Sequence, residues 1–355
     1  MAISFTKKNK VFTLPPAHAP LFDTHAHLRS FWGENKDPVE VLFRAHESGV
    51  RELMTIFDPI ADKSEETPDA LAFSRWLHGV IDAAADRGAE VRVRYLVGVH
   101  PYGTLDYTDE LHAQVAAALD DPLCAGIGEI GLDYHFDADD QIEAAPHAAQ
   151  MNVMARQLSL AVERNVPVEL HLRNDYGDEA RTAHADAISV LERVGVPTAG
   201  CVLHCFGEDR ATMERFLALG CHIAFGGAAT FKRNDAVREA FAACPLDRLL
   251  LETDCPYMAP EPIRGLECEP AMIAQTADVL IYDRADRTGE LPDAVATAIW
   301  NTSNALFGGR HEWEIETRYD PRGARRAQGR GRARDGSRPG AACPPRGGAG
   351  PGAHR

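Results

Sequence analysis

The sequence predicts an α/β protein built on a closed (β/α)8, or TIM, barrel, in which each of eight parallel strands is followed by a helix. Short apolar runs rich in Val, Ile and Leu alternate with longer stretches of helical pattern, and this happens eight times. Strands that are apolar almost throughout are typical of a parallel sheet covered by helices. The 355-residue chain is long enough for such a barrel. An open doubly wound sheet is the competing architecture, but no G-x-G-x-x-G motif follows any predicted strand.

The predicted strands and helices follow one another in order along the chain. The strands occupy residues 20–28, 52–58, 91–100, 124–133, 167–173, 200–206, 222–227 and 248–254. The first helix is expected at 38–48, because Asp37 is a suitable N-cap and Pro38 fits the first helical position. Residues 69–87 carry apolar side chains at helical spacing. Further helices are predicted at 109–120, 146–164, 183–194, 211–219 and 235–244, and final helices at 279–307.

The two ends of the chain depart from this pattern. Residues 1–19 are polar and then contain prolines, which predicts an irregular lead-in to a single barrel domain at 20–315. Residues 316–355 are rich in Arg, Gly and Pro and hold few large apolar side chains. Such a segment buries too little apolar surface to offset its ordering entropy, so we expect a disordered tail. The tail is either an arm that binds nucleic acid or an extension without a role.

The distribution of charge limits the partners of the protein. The formal net charge is −16. Residues 321–355 hold nine arginines and one aspartate, a net charge of +8, which leaves −24 on residues 1–320. A body of this charge repels polyanions at long range, which counts against tight nonspecific binding of DNA.

Composition also indicates the cellular compartment. No apolar run reaches the roughly 18 to 20 residues that a membrane helix needs, and the first residues lack the apolar core of a signal peptide. The eight cysteines are scattered without a C-x-x-C pair, which favours small buried side chains over disulfides or a zinc ribbon. The sequence therefore predicts a cytoplasmic protein without membrane association, and nothing in it indicates an obligate protein partner.

Two histidines with one residue between them, His25 and His27, lie at the end of the first predicted strand. Because alternate side chains of a strand point to the same face, the two imidazoles converge on one point. Neutral imidazole is a good ligand for zinc, manganese or iron. A pair of this kind is by itself more often two unrelated polar residues, so the inference depends on the other strand ends.

Six of the eight predicted strands end in a histidine or an acidic residue that can bind a metal ion. The residues are His25 and His27, His100, Glu129 and Asp133, His171, His204, and Glu252 and Asp254. The carboxyl ends of barrel strands meet at one face, where the active sites of such barrels lie. Each residue alone has an ordinary explanation as a rim histidine, a helix cap or a turn residue. Their coincidence at so many strand ends predicts a metal centre.

Six motifs of the chain resemble those of the TatD family of metal-dependent hydrolases, within the amidohydrolase superfamily. They are D-x-H-x-H at 23–27, G-x-H-P at 98–101, G-E-I-G-L-D-Y at 128–134, H-x-R at 171–173, H-C-F at 204–206 and L-L-x-E-T-D-x-P-Y at 249–257. The resemblance extends from about residue 20 to Phe307. It departs from the family at Cys268, where many members have Asn before Glu-Pro, and in the acidic stretch 174–179.

The resemblance implies a site that binds two divalent cations and shares one carboxylate between them. One cation would be held by His25, His27 and Asp254, the other by His171 and His204, with Glu129 bridging the two. Mixed imidazole and carboxylate ligands suit zinc, manganese, cobalt or iron, whereas magnesium prefers oxygen ligands. The identity of the cations is left open among Zn, Mn, Co and Mg.

Catalytic and substrate-binding roles are also implied by the resemblance. Two cations in such a site can activate a water and clamp the attacking and leaving oxygens of a phosphodiester. Glu129 and Asp254 are the expected catalytic residues, with Asp254 as general base. His100, Arg173 and Arg264 are expected to contact the phosphate oxygens of the substrate.

Three functions are compatible with these residues. The first is a TatD-like deoxyribonuclease that hydrolyses phosphodiester bonds in DNA. The second keeps the metal ions and hydrolyses a small ester, lactone or amide, which the acidic exterior favours. The third, a metal-bound scaffold without activity, is disfavoured because a purely structural zinc site has four ligands and no open position.

Overall fold

A computed structural model gives the structure of the protein and describes residues 3–33, 36–136 and 142–308. Its strands are β1 (Ser4–Lys7), β2 (Lys10–Thr13), β3 (Leu21–Ala26), β4 (Val50–Phe57), β5 (Arg92–Val97), β6 (Cys124–Asp133), β7 (Val168–Arg173), β8 (Cys201–Leu203), β9 (His222–Phe225) and β10 (Leu249–Leu251). Strands β3 to β10 correspond one to one with the eight predicted strands, with shorter bounds at most ends.

The eight strands β3 to β10 form one parallel sheet in chain order. The first and last of these strands, β3 and β10, are joined by backbone hydrogen bonds at their carboxyl ends. The N–H of His27 donates to the carbonyl of Cys255 at 2.8 Å, and the N–H of Asp254 donates to the carbonyl of His25 at 3.0 Å. This arrangement confirms the predicted (β/α)8 barrel.

Helices connect the strands along the outside of the barrel. They are α1 (Leu28–Gly33), α2 (Pro38–Ser48), α3 (Ala70–Ala85), α4 (Asp109–Ala118), α5 (His147–Arg164), α6 (Thr182–Val194), α7 (Arg210–Ala218), α8 (Asp235–Ala243), α9 (Ile273–Thr288) and α10 (Pro292–Phe307). Short 3-10 turns occupy Pro101–Asp106, Gly227–Thr230, Leu246–Arg248 and Pro270–Met272.

Helix α2 shows how local sequence sets these boundaries. The carboxylate of Asp37 accepts a hydrogen bond from the N–H of Val39 at 2.9 Å, and Pro38 occupies the first position, where no N–H is needed. The helix ends at Gly49, whose φ of 104° is in the left-handed region that glycine adopts without strain. The predicted bounds of this helix are therefore confirmed.

Apolar side chains fill the amino half of the barrel interior. The cluster consists of Phe22, Met54, Ile56, Leu96, Val202, Ala224, Leu250 and Phe307. Helix α10 covers this end, because its Thr302 donates to the carbonyl of Leu246, which precedes β10. Its Leu306 packs so closely on Gly200, which precedes β8, that a Cβ there would lie 2.1 Å from the leucine methyl. The amino end is thus closed by apolar packing.

The amino terminus differs from the irregular lead-in expected over 1–19. Strands β1 and β2 pair as an antiparallel hairpin. Its two-residue turn consists of Lys8 and Asn9, whose φ values of 46° and 64° suit the twist of a hairpin. Phe5 and Phe12 lie opposite each other and pack against the core. The sequence analysis missed this hairpin because Lys-Asn is a less distinctive turn signal than Asn-Gly.

The remaining expectations about chain organisation are only partly covered by the structure. Within the described residues, no helix combines the length and the apolar character needed to cross a membrane. The predicted tail at 316–355, and residues 309–315 of the predicted barrel domain, lie outside the described residues. The domain limits 1–19, 20–315 and 316–355 therefore stay predictions.

Candidate metal centre

The structure brings all six predicted metal ligands together at the carboxyl end of the barrel. His25 lies in β3 with His27 just beyond it, Glu129 lies in β6 and His171 in β7, and His204 and Asp254 follow β8 and β10. Parallel strands that meet at one end deliver side chains from distant parts of the sequence to a single point. The ligand atoms form two overlapping groups.

The first group consists of His25, His27, Glu129 and Asp254. The Nε2 atoms of the two histidines lie 3.1 Å apart. Asp254 Oδ1 is 3.7 Å from Nε2 of His25 and 3.5 Å from Nε2 of His27. Glu129 Oε2 lies 3.7 Å and 3.9 Å from the same two nitrogens. Two nitrogens and two carboxylate oxygens thus face one small volume.

The second group consists of Glu129, His171 and His204. The other oxygen of Glu129, Oε1, is 2.7 Å from Nδ1 of His171 and 2.7 Å from Nε2 of His204. The two nitrogens are 3.2 Å apart. Glu129 therefore presents one oxygen to each group, which is the geometry of a bridging carboxylate.

The residues fit divalent cations by type and spacing. Two histidine nitrogens bound to one tetrahedral zinc at about 2.05 Å would be separated by about 3.3 Å. The observed separation of 3.1 Å between Nε2 of His25 and Nε2 of His27 is close to that value. The ligand atoms of His25, His27 and Glu129 lie within 4.8 Å of one another, and so do those of Glu129, His171 and His204. Nitrogen and carboxylate donors at this spacing suit zinc, manganese or cobalt.

Charges in the cluster favour bound cations. Burial lowers the pKa of His25 to about 3, so this imidazole is neutral, the form that binds a metal ion. Burial raises the pKa of Glu129, but the nearby His204 and His100 outweigh it and hold the pKa well below its usual range. Burial opposes protonation of His27, yet hydrogen bonding to Asp254 and the charge of Glu129 raise its pKa to about 9. The carboxylates thus favour positive charge at this point.

Three buried acids outside the six predicted ligands orient the imidazoles; Asp133 and Glu252 were among the strand-end candidates, whereas Glu169 was not. Glu169 Oε2 lies 3.0 Å from Nδ1 of His25, and both side chains are completely buried. Asp133 Oδ2 lies 2.9 Å from Nε2 of His171. Glu252 Oε1 lies 3.6 Å from Nδ1 of His204. A carboxylate behind a metal-binding histidine fixes the ring and increases its basicity.

Asp254 is positioned by the contact between the first and last strands of the barrel. Thr253 donates two hydrogen bonds to the carboxylate of Asp23. Its N–H donates to one oxygen at 2.8 Å, and its hydroxyl donates to the other at 2.6 Å. Asp254 itself has a φ of 55°, and its N–H donates to the carbonyl of His25. Asp23, the first residue of the D-x-H-x-H motif, therefore supports the site from outside the ligand set.

Two of the three predicted substrate contacts lie beside the cluster. His100 Nε2 is 3.8 Å from Oε1 of Glu129, and its ring packs edge-on against His171. Arg173 donates to Asp133 at 3.0 Å and to the hydroxyl of Tyr102 at 2.7 Å. Arg173 also lines an open cavity of about 610 Å³.

The acidic stretch 174–179, which departs from the family pattern, forms a large part of the wall of that cavity. The third predicted contact, Arg264, lies elsewhere. Its guanidinium sits 4.1 Å over the ring of Phe231 and is exposed. Among the described residues it forms no ion pair with any of the six predicted ligands, and its contact with the substrate stays a prediction.

Comparisons with known proteins agree with this geometry. The family model described as TatD related DNase matches residues 22–308. The uncharacterized metal-dependent hydrolase YabD of Bacillus subtilis is 31% identical over 260 residues, which are 73% of this chain and 89% of that protein. The 3'-5' ssDNA/RNA exonuclease TatD of Pantoea vagans is 32% identical over 215 residues, 59% of this chain and 76% of that protein.

A solved structure gives the same result for the fold. The crystal structure of YJJV, a TatD homolog from Escherichia coli, has a TM-score of 0.63 and 27% sequence identity, and the match covers 82% of this chain and 99% of that one. The match of the family model spans all six clustered ligands. This chain belongs to the TatD family of metal-dependent hydrolases.

Proposed function

We propose that the protein is a TatD-type deoxyribonuclease that uses two divalent cations to hydrolyse phosphodiester bonds at the end of a DNA strand. The observation that carries the proposal is the position of Glu129, whose two oxygens each face a separate group of histidines. The name of the relative from Pantoea vagans, a 3'-5' ssDNA/RNA exonuclease, supports the same class of substrate.

Each predicted ligand has an assigned place in this proposal. His25, His27 and Asp254 would hold one cation, His171 and His204 the other, and Glu129 both. Bound cations of this kind lower the pKa of a coordinated water and neutralise charge on the reacting phosphate. The histidines orient the site because Glu169, Asp133 and Glu252 fix their rings from behind.

Asp254 and the basic side chains act on water and substrate. Burial raises the pKa of Asp254, but its hydrogen bond with His27 and the other histidines around it outweigh burial and lower the pKa, so this carboxyl is ionised. An ionised carboxylate at this point can accept the proton of the attacking water, the work of a general base. Arg173 and His100 lie at the edge of the cluster, where they can donate hydrogen bonds to phosphate oxygens.

The acidic body favours one alternative, the hydrolysis of a small ester, lactone or amide. Residues 1–320 carry a net charge of −24, and phosphate contacts normally supply most of the nonspecific affinity for nucleic acid. Two divalent cations add about four positive charges at the site itself, which supports local capture of a strand end.

We also propose that the protein is cytoplasmic, since the seven described cysteines are free thiols.

Protein stripped of metal by a chelator tests the proposal when Mg, Mn, Zn or Co is returned in turn. The substrates are end-labelled single-stranded DNA, a chromogenic phosphodiester and a panel of lactones. We expect metal-dependent shortening of the DNA from one end by the wild type and by the control E163Q, which removes an exposed charge on α5. E129Q should lose the activity. Intact DNA together with turnover of a lactone would overturn the nuclease and support the alternative.

A further inference from the structure

The protein has six lysines. Three of them, Lys7, Lys8 and Lys10, belong to a four-residue segment at the turn of the N-terminal hairpin. A fourth, Lys232, is next to Arg233 in the loop after β9. We call these five residues, together with Arg264, the cationic surface. Among the described residues, none of the six forms an ion pair. Elsewhere, four exposed arginines pair with acidic side chains: Arg87, Arg164, Arg210 and Arg287. Within the described residues, the exposed Arg75, Arg193 and Arg215 form no ion pair, but they lie apart from one another in the sequence, on α3, α6 and α7.

The three segments that carry the cationic surface contact one another. Lys7 Nζ donates to the carbonyl of Pro262 at 3.2 Å, which fixes the hairpin turn against the loop after β10. The guanidinium of Arg264, two residues further on, lies 4.1 Å over the ring of Phe231. Phe231 immediately precedes Lys232 and Arg233. These contacts concentrate positive charge in one region of an otherwise acidic protein.

This region lies at the same end of the barrel as the metal centre. The loop that carries Pro262 and Arg264 follows β10 and includes Asp254, one of the six clustered residues. The loop with Lys232 and Arg233 follows β9, so it also starts at a carboxyl end. The two loops are joined by a hydrogen bond from the N–H of Glu261 to the hydroxyl of Thr230 at 2.8 Å. Within the described residues, Glu261 pairs with none of the six cations.

The hairpin is outside the part of the chain that matches the family model, which begins at residue 22. Three of the six cations therefore precede the residues that the family model matches. Exposed cations without acidic partners keep their full charge for a ligand, and polyanions are attracted to such a local field even when the net charge is negative.

We propose that the cationic surface binds the phosphate backbone of a single-stranded nucleic acid whose end occupies the metal centre. The inference rests on the proposed function and adds to it a second site on the substrate, several nucleotides from the bond that is cleaved. It accounts for how an acidic protein holds a polyanion: the backbone follows the rim from Asp254 past Arg264 to the lysines of the hairpin.

The salt dependence of the binding constant K measures how many phosphate groups the protein contacts. For single strands the slope of log K against log salt falls by about 0.7 for each phosphate contact that is removed. The variant K8Q/K10Q should therefore reduce the magnitude of this slope by about 1.4. If the variant and the wild type bind equally at 1 M salt, the variant should bind roughly 25-fold more weakly at 0.1 M. K232Q/R233Q should have the same effect, because it removes the same charge from another segment of the surface.

The matched control is R75Q/R193Q, which removes two exposed cations of α3 and α6 without touching the cationic surface. The probe is a fluorescein-labelled oligothymidylate of about 15 nucleotides, bound to the full chain in EDTA and followed by fluorescence anisotropy. Every variant carries the same C-terminal segment, so that segment contributes equally. Hydrolysis of a small chromogenic phosphodiester by the metal-loaded variants should be unchanged.

The outcomes separate this inference from the proposed function. A lower slope in both surface variants but not in the control supports the cationic surface. An unchanged slope, or an equal fall in the control, overturns it, even if the strand is cut when metal is added. If the strand binds with the expected slopes and no metal restores cleavage, the surface stands and the nuclease proposal fails.

Discussion

In the amino half of the barrel the strands point apolar side chains inward, whereas at the carboxyl end the same strands present imidazoles and carboxylates. Phe22 and His25 belong to one strand, and Leu250 and Asp254 lie within five residues of each other. Phe22 packs between Trp300 and Phe307, at ring distances of 6.4 and 6.2 Å. His25 faces four ionisable side chains at 3.7 Å or less.

The difference shows that stability and chemistry are divided between the two ends. Burying an apolar side chain stabilises the fold, but burying an ionisable group costs free energy unless a partner offsets it. The cluster offsets part of this cost within itself, because each histidine faces a carboxylate. Substitutions at the amino end should therefore change the free energy of unfolding, and those at the carboxyl end should change activity. Four variants test this division.

E129Q should have the largest effect. Glutamine keeps the shape of Glu129 but removes the charge that faces both groups of histidines, so we expect kcat to fall by about 10³-fold or more, the scale for loss of a key electrostatic group. The melting temperature should change by only a few degrees. Turnover of a chromogenic phosphodiester and thermal unfolding check both parts. Normal turnover would remove Glu129 from the catalytic site.

L250A tests the opposite end of the barrel. Leu250 is completely buried in the apolar cluster, and its loss should lower the free energy of unfolding by about 2 to 5 kcal/mol. Per molecule of folded protein, kcat should be within about twofold of the wild type. The control is L291A, because Leu291 is 72% exposed and its loss should cost at most about 0.5 kcal/mol. Urea unfolding measures both. A large fall in kcat for folded L250A would contradict the division.

The convergence of the clustered side chains could be predicted from the sequence because the barrel turns strand ends into neighbours, whereas the choice of six ligands among them came from the family resemblance and stays a prediction. His171 and His204 are 33 positions apart, yet their nitrogens lie 3.2 Å from each other. Once eight strands are recognised, the only further assumption is that their carboxyl ends meet. The same logic does not place Arg264, since it lies thirteen residues beyond β10 in a loop whose path no periodicity determines.

Other parts of the site gave weaker signals. Glu169 lies in an apolar strand two positions before His171, so strand alternation places both on one face. An acid inside an apolar strand is the signal that could have identified it as a partner of His25. Tyr102 could not have been found in this way, because its contact with Arg173 joins a 3-10 turn to a strand 71 positions later.

E169Q should have an intermediate effect, since Glu169 acts through His25. Loss of a carboxylate behind a metal-binding histidine typically weakens metal binding by about 10- to 100-fold. We expect this in a zinc or manganese titration, with activity restored at saturating metal, which a purely structural defect would not show. E163Q, on the surface of α5, is the control with the same charge change. Equal metal affinity in both variants would show that Glu169 does not position the ligand.

Y102F should have the smallest effect and sharpens the comparison within the carboxyl end itself. The hydroxyl of Tyr102 accepts a hydrogen bond from Arg173, which Asp133 holds from another side. Without that hydroxyl, Arg173 keeps its charge but loses one of the contacts that orient it, worth about 1 kcal/mol. KM for a phosphodiester should therefore rise about fivefold with kcat nearly constant, and Y282F on α9 should leave both unchanged. Loss of an interaction that is already made in the ground state raises KM alone. A fall in kcat at constant KM would therefore contradict this prediction and show that Arg173 contacts the phosphate oxygens only in the transition state.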